Sequence, residues 1–168
     1  TYKIDKHNNE TNNIFSFFIE KCLDVGQHVS LIVPKSLINS PEFNKSRELL
    51  LKKNLKKIND FGEKGFRGVK IETISISVDS NKKSSEKVVI ESYIRKLYSV
   101  IDKSYVFSDD YPCWILYRDQ TFDKTAKKME FDIFNVFRDR QITKKHTKNK
   151  GKIRVLKSRN IDNVKTIN

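Results

Sequence analysis

The 168-residue sequence has few of the residues that build disulfide-rich domains, metal centres or membrane spans. Its only cysteines, Cys22 and Cys113, give neither a disulfide framework nor the ligand spacing of a zinc site. No further metal-ligating residues accompany His28 or His146 at a suitable spacing, so we predict no metal site. No secretory signal opens the sequence and no apolar run approaches a membrane span, so we expect a cytoplasmic protein without a membrane partner.

Positive charge is what the sequence has in excess. The net charge is +13 and the pI is about 9.7. Residues 138–168 hold eleven Lys or Arg against two Asp, so most of the excess lies near the C-terminus. Compositional drift in an AT-rich genome would spread the charge evenly, and the clustering therefore favours a nucleic-acid surface. A basic face for an acidic protein partner stays open as an alternative.

The apolar spacing predicts helices alternating with strands. Ile14 to Leu23 follows helical spacing, and Gly26 is expected to end that helix in a left-handed turn. The unbroken apolar run from His28 to Val33 predicts a strand buried on both faces. The further predicted elements are helices at 40–53 and 122–129 and strands at 55–61, 73–78, 87–94, 113–117 and 152–156. The alternation indicates an α/β sheet, and a short connection makes the final strand pair an antiparallel hairpin.

Two stretches together resemble TaqI-like adenine-N6 DNA methyltransferases of the type II restriction-modification class. The first is FFIEKCLDVGQHVSLIVPKSLINS, followed by SRELLLKKNLKKINDFGEKGFRG and VKIETISISV. It is similar, in order and spacing, to the second half of that catalytic domain. The second is FDIFNVFRDRQITKK with GKIRVLKSRNI, which resembles the entry into the target-recognition domain. The resemblance covers roughly two-thirds of the chain.

The resemblance implies a fold class and a domain boundary. The fold would be α/β, a partial mixed sheet of the S-adenosylmethionine-dependent methyltransferase (Rossmann-like) type with a terminal antiparallel hairpin. A β-rich recognition-domain entry would follow. Residues 1–120 would form the C-terminal half of the catalytic domain, and residues 121–168 would begin the DNA-binding recognition domain.

The resemblance also assigns roles to residues. Phe66 matches the aromatic residue that stacks on an adenine swung out of the duplex, although a ring that merely plugs the sheet edge is the plainer alternative. Lysine and arginine suit phosphate contacts, and arginine can also read guanine. The predicted DNA-binding residues are Lys64, Arg67, Lys70, Arg138, Arg140, Lys144, Lys145, Lys157, Ser158, Arg159 and Asn160. A merely solvated basic surface is the alternative for each of them.

Glycine and proline are too sparse for the family's remaining motifs. The three prolines are isolated, so the Asn/Asp-Pro-Pro-aromatic motif is absent, and the five glycines include no usual cofactor loop. We therefore expect a fragment with no catalytic residue of its own. The parent enzyme would transfer a methyl group from S-adenosylmethionine to adenine N6, while this chain would not bind the cofactor. A non-enzymatic DNA-binding or specificity protein of a restriction-modification system is the alternative function.

The expected partners follow from the same reasoning. Double-stranded DNA would be the substrate, and a fused or separately encoded restriction endonuclease would belong to the same system. A cut sheet edge would also leave self-association open, because an unpaired strand invites pairing.

Overall fold

The computed structural model describes residues 14–130, 133, 144–148, 150–153, 161–162 and 166–167. The chain divides into two compact units, Thr1–Lys127 and Lys128–Asn168. The helices of the first unit are α1 (Ile14–Val25), α2 (Asn44–Lys52), α3 (Lys103–Val106) and α4 (Gln120–Ala126), and its strands are β1 (His28–Pro34), β2 (Asn54–Gly62), β3 (Thr73–Asp79), β4 (Lys87–Ser92) and β5 (Leu97–Asp102).

The five strands form one mixed sheet in the order β1-β3-β2-β4-β5. Strand β3 runs antiparallel to both β1 and β2, β2 runs parallel to β4, and β4 and β5 form an antiparallel hairpin. The strands predicted at 28–33, 55–61 and 73–78 therefore share one mixed sheet, and the 73–78 strand lies antiparallel between the other two. The fold is α/β and compatible with a methyltransferase-like architecture, whereas the Rossmann-like assignment stays a prediction.

The core lies between the sheet and the helices. Ile19 and Leu23 stand four residues apart, so they share one face of α1, and both are buried. They belong to one cluster with Leu50 of α2 and with buried residues of the central strands such as Ile58 and Ile76. A buried hydrogen bond of 2.8 Å from Ser46 Oγ to Ser16 Oγ joins the two helices. None of the helices in the described ranges has the length and apolar content needed to cross a membrane.

Buried Arg47 joins the segments around α2. Its guanidinium donates to the carbonyl oxygens of Leu37 at 2.8 Å, Ser40 at 2.9 Å and Pro112 at 3.3 Å, and it also contacts Asn44. Burial lowers its pKa below the ordinary value. Carbonyl oxygens satisfy the donors of this buried cation, so Arg47 ties the segment near Pro112 to the core.

Two expectations about the start of the sheet were wrong. Gly26 is outside the left-handed region, because only Gly62 and Gly68 among the described glycines have positive φ. Glycine is needed at position 26 because a Cβ there would lie 2.7 Å from Val29 Cγ2. Strand β1 is not buried on both faces: it pairs only with β3, at one end of the strand order, and Ile32 is 53% exposed.

The strand predicted at 113–117 was also wrong. That segment is irregular, with Trp114 and Leu116 buried against the core, and its backbone N–H groups bond to Ile38 O and Val106 O outside any ladder. The strand that forms the antiparallel hairpin with β4 is β5, which the pattern did not predict. Apolar residues in this segment pack alternately against the core, but no neighbouring strand in the described part of the chain offers partners to its backbone N–H and C=O groups, so no strand forms.

The second unit is described only in part. It holds a short 3-10 turn, Lys144–His146, and the antiparallel pair β6 (Ile161–Asp162) and β7 (Thr166–Ile167). Most of the strand predicted at 152–156 lies outside the described residues. The units divide between residues 127 and 128, whereas the predicted boundary at 120 coincides with the start of α4. That domain boundary stays a prediction.

Candidate functional site

Three strands end at the same side of the sheet. Because β1 and β2 are both antiparallel to β3, they run parallel to each other, and β4 is parallel to β2. The carboxyl ends of β1, β2 and β4 therefore meet at one edge. In open α/β sheets, ligands bind outside the carboxyl ends of the strands. We call this edge the strand-end site.

A buried carboxylate organises the strand-end site. Asp60, near the end of β2, is 2% exposed. Its Oδ2 accepts a hydrogen bond from Tyr117 and lies 2.9 Å from Lys35 Nζ, which follows β1. Its Oδ1 accepts a 2.8 Å hydrogen bond from the Gly62 N–H. Lys35 Nζ also lies 3.3 Å from Glu72 Oε1, so the group links three separate segments to the end of β2.

The same contacts shift the pKa values of the group. Burial alone would raise the pKa of Asp60, but hydrogen bonds from Tyr117, Lys35 and Gly62 outweigh it and hold the pKa below the ordinary value. Burial and the hydrogen bond to Asp60 raise the pKa of Tyr117 to about 12. Burial would lower the pKa of Lys35, but its acidic partners raise it. At neutral pH the group is a charged Lys–Asp pair with a protonated tyrosine.

The loop at residues 62–72 rises from this charged group, and we call it the Phe66 loop. Gly62 is the first residue of the loop, and its φ of 54° is a left-handed conformation that favours glycine. The Gly62 N–H donates a hydrogen bond to the Asp60 carboxylate. Gly65 lies so close to Thr73 that a Cβ would come within 1.9 Å of Thr73 Oγ1. The Lys35 N–H donates to Glu72 O at 2.9 Å and fixes the far end. The loop is therefore anchored at its start, its middle and its end.

The residues predicted to stack on the target base or to bind DNA lie within the Phe66 loop, between its anchored ends. Phe66 is 50% exposed, and Lys64, Arg67 and Lys70 are exposed beside it in sequence. The structure thus brings these four predicted site residues together on one loop at the strand-end site. Their roles in DNA binding and base stacking stay predictions.

The remaining predicted DNA-binding residues belong to the second unit. Lys144 and Lys145 lie in the Lys144–His146 turn, and Lys145 is exposed. The others lie outside the described residues: Arg138, Arg140, Lys157, Ser158, Arg159 and Asn160.

Sequence reasoning missed the two residues that hold the loop, Asp60 and Tyr117. The only acid of β2, near the end of the strand, was a usable signal, because a charge that becomes buried needs a partner. Tyr117 offered no such signal, since it lies 57 residues from Asp60 in the chain. Only the path of the chain after β5 brings the phenol to the carboxylate.

That this chain binds no S-adenosylmethionine stays a prediction. Three glycines leave no open cradle, because the space around Gly26, Gly62 and Gly65 is filled by Val29, Ile94 and Thr73 of the chain itself, whereas the space around Gly68 is open. The Asp60 oxygens are likewise engaged by protein groups. Nor do the described ranges hold a cluster of three His, Cys, Asp or Glu side chains able to hold a metal ion.

The fold and the strand-end site define a class: an α/β protein with a mixed sheet and an anchored, basic, aromatic loop at the carboxyl ends of its strands. A family comparison narrows this class. Residues 1–66 match the model of the Eco57I restriction-modification methylase family. The matched segment includes α1, β1, α2 and β2 and ends at Phe66. No curated protein and no solved structure matches the chain.

The match supports a restriction-modification methyltransferase in general, a class whose substrate is DNA. It covers less than half of the chain, so it describes the first segment and not the whole. The narrower TaqI-like adenine-N6 assignment stays a prediction.

Proposed function

We propose that this chain is part of a site-specific adenine-N6 DNA methyltransferase, and that its strand-end site receives the target adenine. The observation that carries the proposal is the position of Phe66. A methylase family match reaches this residue, and its half-exposed ring stands on a loop anchored at the carboxyl ends of the strands.

The proposed chemistry explains why an aromatic side chain is useful there. The amine of adenine cannot be methylated inside the duplex, so the base must leave the stack. An exposed phenylalanine offers a face on which the extruded base can stack. The anchors at Gly62, Gly65 and Glu72 would hold that face in place before DNA arrives.

Cations beside the ring would hold the backbone of the extruded nucleotide. Lys64, Arg67 and Lys70 are exposed on the same loop, and only Glu63 and Glu72 oppose them there. Glu72 is already engaged by Lys35. The loop therefore carries net positive charge, which favours phosphate.

S-adenosylmethionine would supply the methyl group in the complete enzyme, held by groups other than the described residues. Rate enhancement requires interactions gained in the transition state, and these need the cofactor loop and the amine-binding motif. We therefore expect this chain by itself to bind no cofactor and to transfer no methyl group. Calorimetric binding of S-adenosylmethionine to the chain would contradict this expectation.

The test is a methylation assay on the enzyme in which the chain is joined to those motifs. Stacking of a base on an aromatic ring is worth about 1–3 kcal/mol, so Phe66→Ala is expected to slow methylation roughly tenfold to a hundredfold. Duplex affinity should change much less, because stacking is gained only after the base leaves the helix.

Two further variants separate stacking from packing. Phe66→Tyr keeps an aromatic face and should retain the rate. Phe66→Leu keeps an apolar side chain without a ring, and should lose rate as Phe66→Ala does. Full activity of Phe66→Leu would show that the ring only packs against the sheet edge, and the proposed stacking role would be wrong.

A further inference from the structure

The turn between β4 and β5, residues 93–96, lies beside the Phe66 loop. The Tyr93 N–H donates to Asp60 O at 3.0 Å, and the Tyr93 ring stacks on Phe61 with centroids 5.3 Å apart. Ile94 fills the space above Gly62, where a Cβ would come within 2.7 Å of Ile94 Cγ1. These three contacts join the turn to the end of β2 and to Gly62, the first residue of the Phe66 loop.

The turn adds cations to the strand-end site. Arg95 and Lys96 are both exposed, and Lys64, Arg67 and Lys70 are exposed on the adjoining loop. Two acidic residues lie on the loop, Glu63 and Glu72. Glu72 is already paired with Lys35, so Glu63 is the one that can offset these cations. Glu91, at the end of β4, pairs with Lys57 at 2.6 Å. Five cations therefore stand at one edge with little acidic compensation.

Arg95 is held in a defined position. Its guanidinium lies 4.2 Å from the centre of the Tyr117 ring, and its backbone N–H donates to Ser92 Oγ at 3.1 Å. Tyr117 is itself fixed by its hydrogen bond to Asp60. A guanidinium stacked on an aromatic face keeps its N–H donors in its own plane, where they can form a fork with phosphate oxygens.

We propose that the 93–96 turn is a second DNA-contacting element, with Arg95 and Lys96 binding phosphates of the duplex beside the nucleotide received by the Phe66 loop. This inference rests on the proposed function of that loop. Duplex DNA is the partner that the charge favours, because regularly spaced phosphates can engage cations on two adjacent segments at once.

The test measures the salt dependence of binding of the full chain to a short labelled duplex by fluorescence anisotropy. The turn variant combines Arg95→Gln with Lys96→Asn, because Lys96 has a φ of 51°, which asparagine tolerates well. The matched control combines Lys52→Gln with Lys83→Gln. Both lysines are exposed, and they lie just before β2 and after β3, at the opposite edge of the sheet.

The turn variant is expected to reduce the slope of log affinity against log salt by about two units, one for each lost phosphate contact. The control should keep the wild-type slope. Thermal melting of each variant checks the fold. Should Arg95→Gln lower the melting temperature, Lys96→Asn alone is expected to reduce the slope by about one unit.

Three outcomes would overturn the inference. If the turn variant keeps the slope while a Lys64→Gln, Arg67→Gln and Lys70→Gln variant loses it, the turn plays no part and the proposed function survives. If the opposite-edge control loses as much slope as the turn variant, only overall charge matters. If the wild-type chain shows no salt-dependent binding at any salt concentration, the proposed function fails together with the inference.

Discussion

Each edge of the sheet buries one aspartate, and the two aspartates are held differently. At the strand-end site, the Asp60 carboxylate oxygens lie 2.9 Å from Lys35 Nζ and 2.8 Å from the Gly62 nitrogen. The carboxylate also accepts a hydrogen bond from the Tyr117 hydroxyl. The Lys35 side chain is only 22% exposed. The partners of Asp60 are therefore short-range, directed and largely shielded from water.

Asp79, at the opposite edge, is 1% exposed but has looser partners. Its Oδ2 lies 3.4 Å from Lys56 Nζ, 3.6 Å from Lys82 Nζ and 3.7 Å from His28 Nδ1. The side chains of these three residues are 49%, 67% and 73% exposed, in that order. The two carboxylates are equally buried, but the side chains that surround Asp79 are much more exposed to solvent than Lys35.

The comparison shows that partner exposure decides what a buried carboxylate can do. Exposed cations are screened by water and salt, and pairs with them contribute little. A carboxylate with shielded partners fixes the segments that supply them. At the strand-end site those segments include the start of the Phe66 loop, which is the loop that the proposed function requires to be rigid.

The largest expected effect is the loss of stability in Asp60→Asn. Removing one member of a shielded pair leaves Lys35 charged with only the exposed Glu72 as its partner, so the free energy of unfolding should fall by roughly 3 kcal/mol. Asp79→Asn is the matched change at the other edge and should cost clearly less. Urea denaturation of both variants at low and high salt measures the difference. Equal losses, or equal salt sensitivity, would mean that partner exposure does not distinguish the two edges.

A smaller effect is expected at alkaline pH. Folding raises the pKa of Tyr117 to about 12, so its contribution to stability is present below the ordinary pKa of about 10 and lost as pH rises through 12. The stability difference between wild type and Tyr117→Phe should therefore shrink across this interval. Tyr98→Phe, at a tyrosine that is 65% exposed, serves as the control. If the stability difference stays unchanged across this interval, Tyr117 is not coupled to the Asp60–Lys35 pair.

The sequence predicted the architecture well where the apolar period was clear. Helical spacing located α1, and alternation with turn residues located β2 and β3 together with their antiparallel pairing. The errors arose where position in the sheet decides burial. An unbroken apolar run such as that of β1 predicts a strand buried on both faces, yet β1 pairs with one strand only and leaves Ile32 exposed.

The candidate site could be predicted only in part. Phe66 and its neighbouring cations were predicted because this stretch of the chain resembles the base-stacking loop of the methyltransferase family. The Asp60–Tyr117 contact and the proximity of the 93–96 turn could not be found, because they depend on the parallel pairing of β2 with β4. Parallel strands are joined by long connections, so sequence distance says little about which strand ends will meet.

The central claim is that DNA meets the edge of the sheet where β1, β2 and β4 end. Amide hydrogen exchange of the full chain, with and without duplex DNA, tests it most directly. We predict that DNA slows exchange in the 62–72 loop and the 93–96 turn and leaves the 80–86 turn at the opposite edge unchanged. Protection at 80–86, or no protection in either strand-end segment under conditions where DNA is bound, would contradict the account.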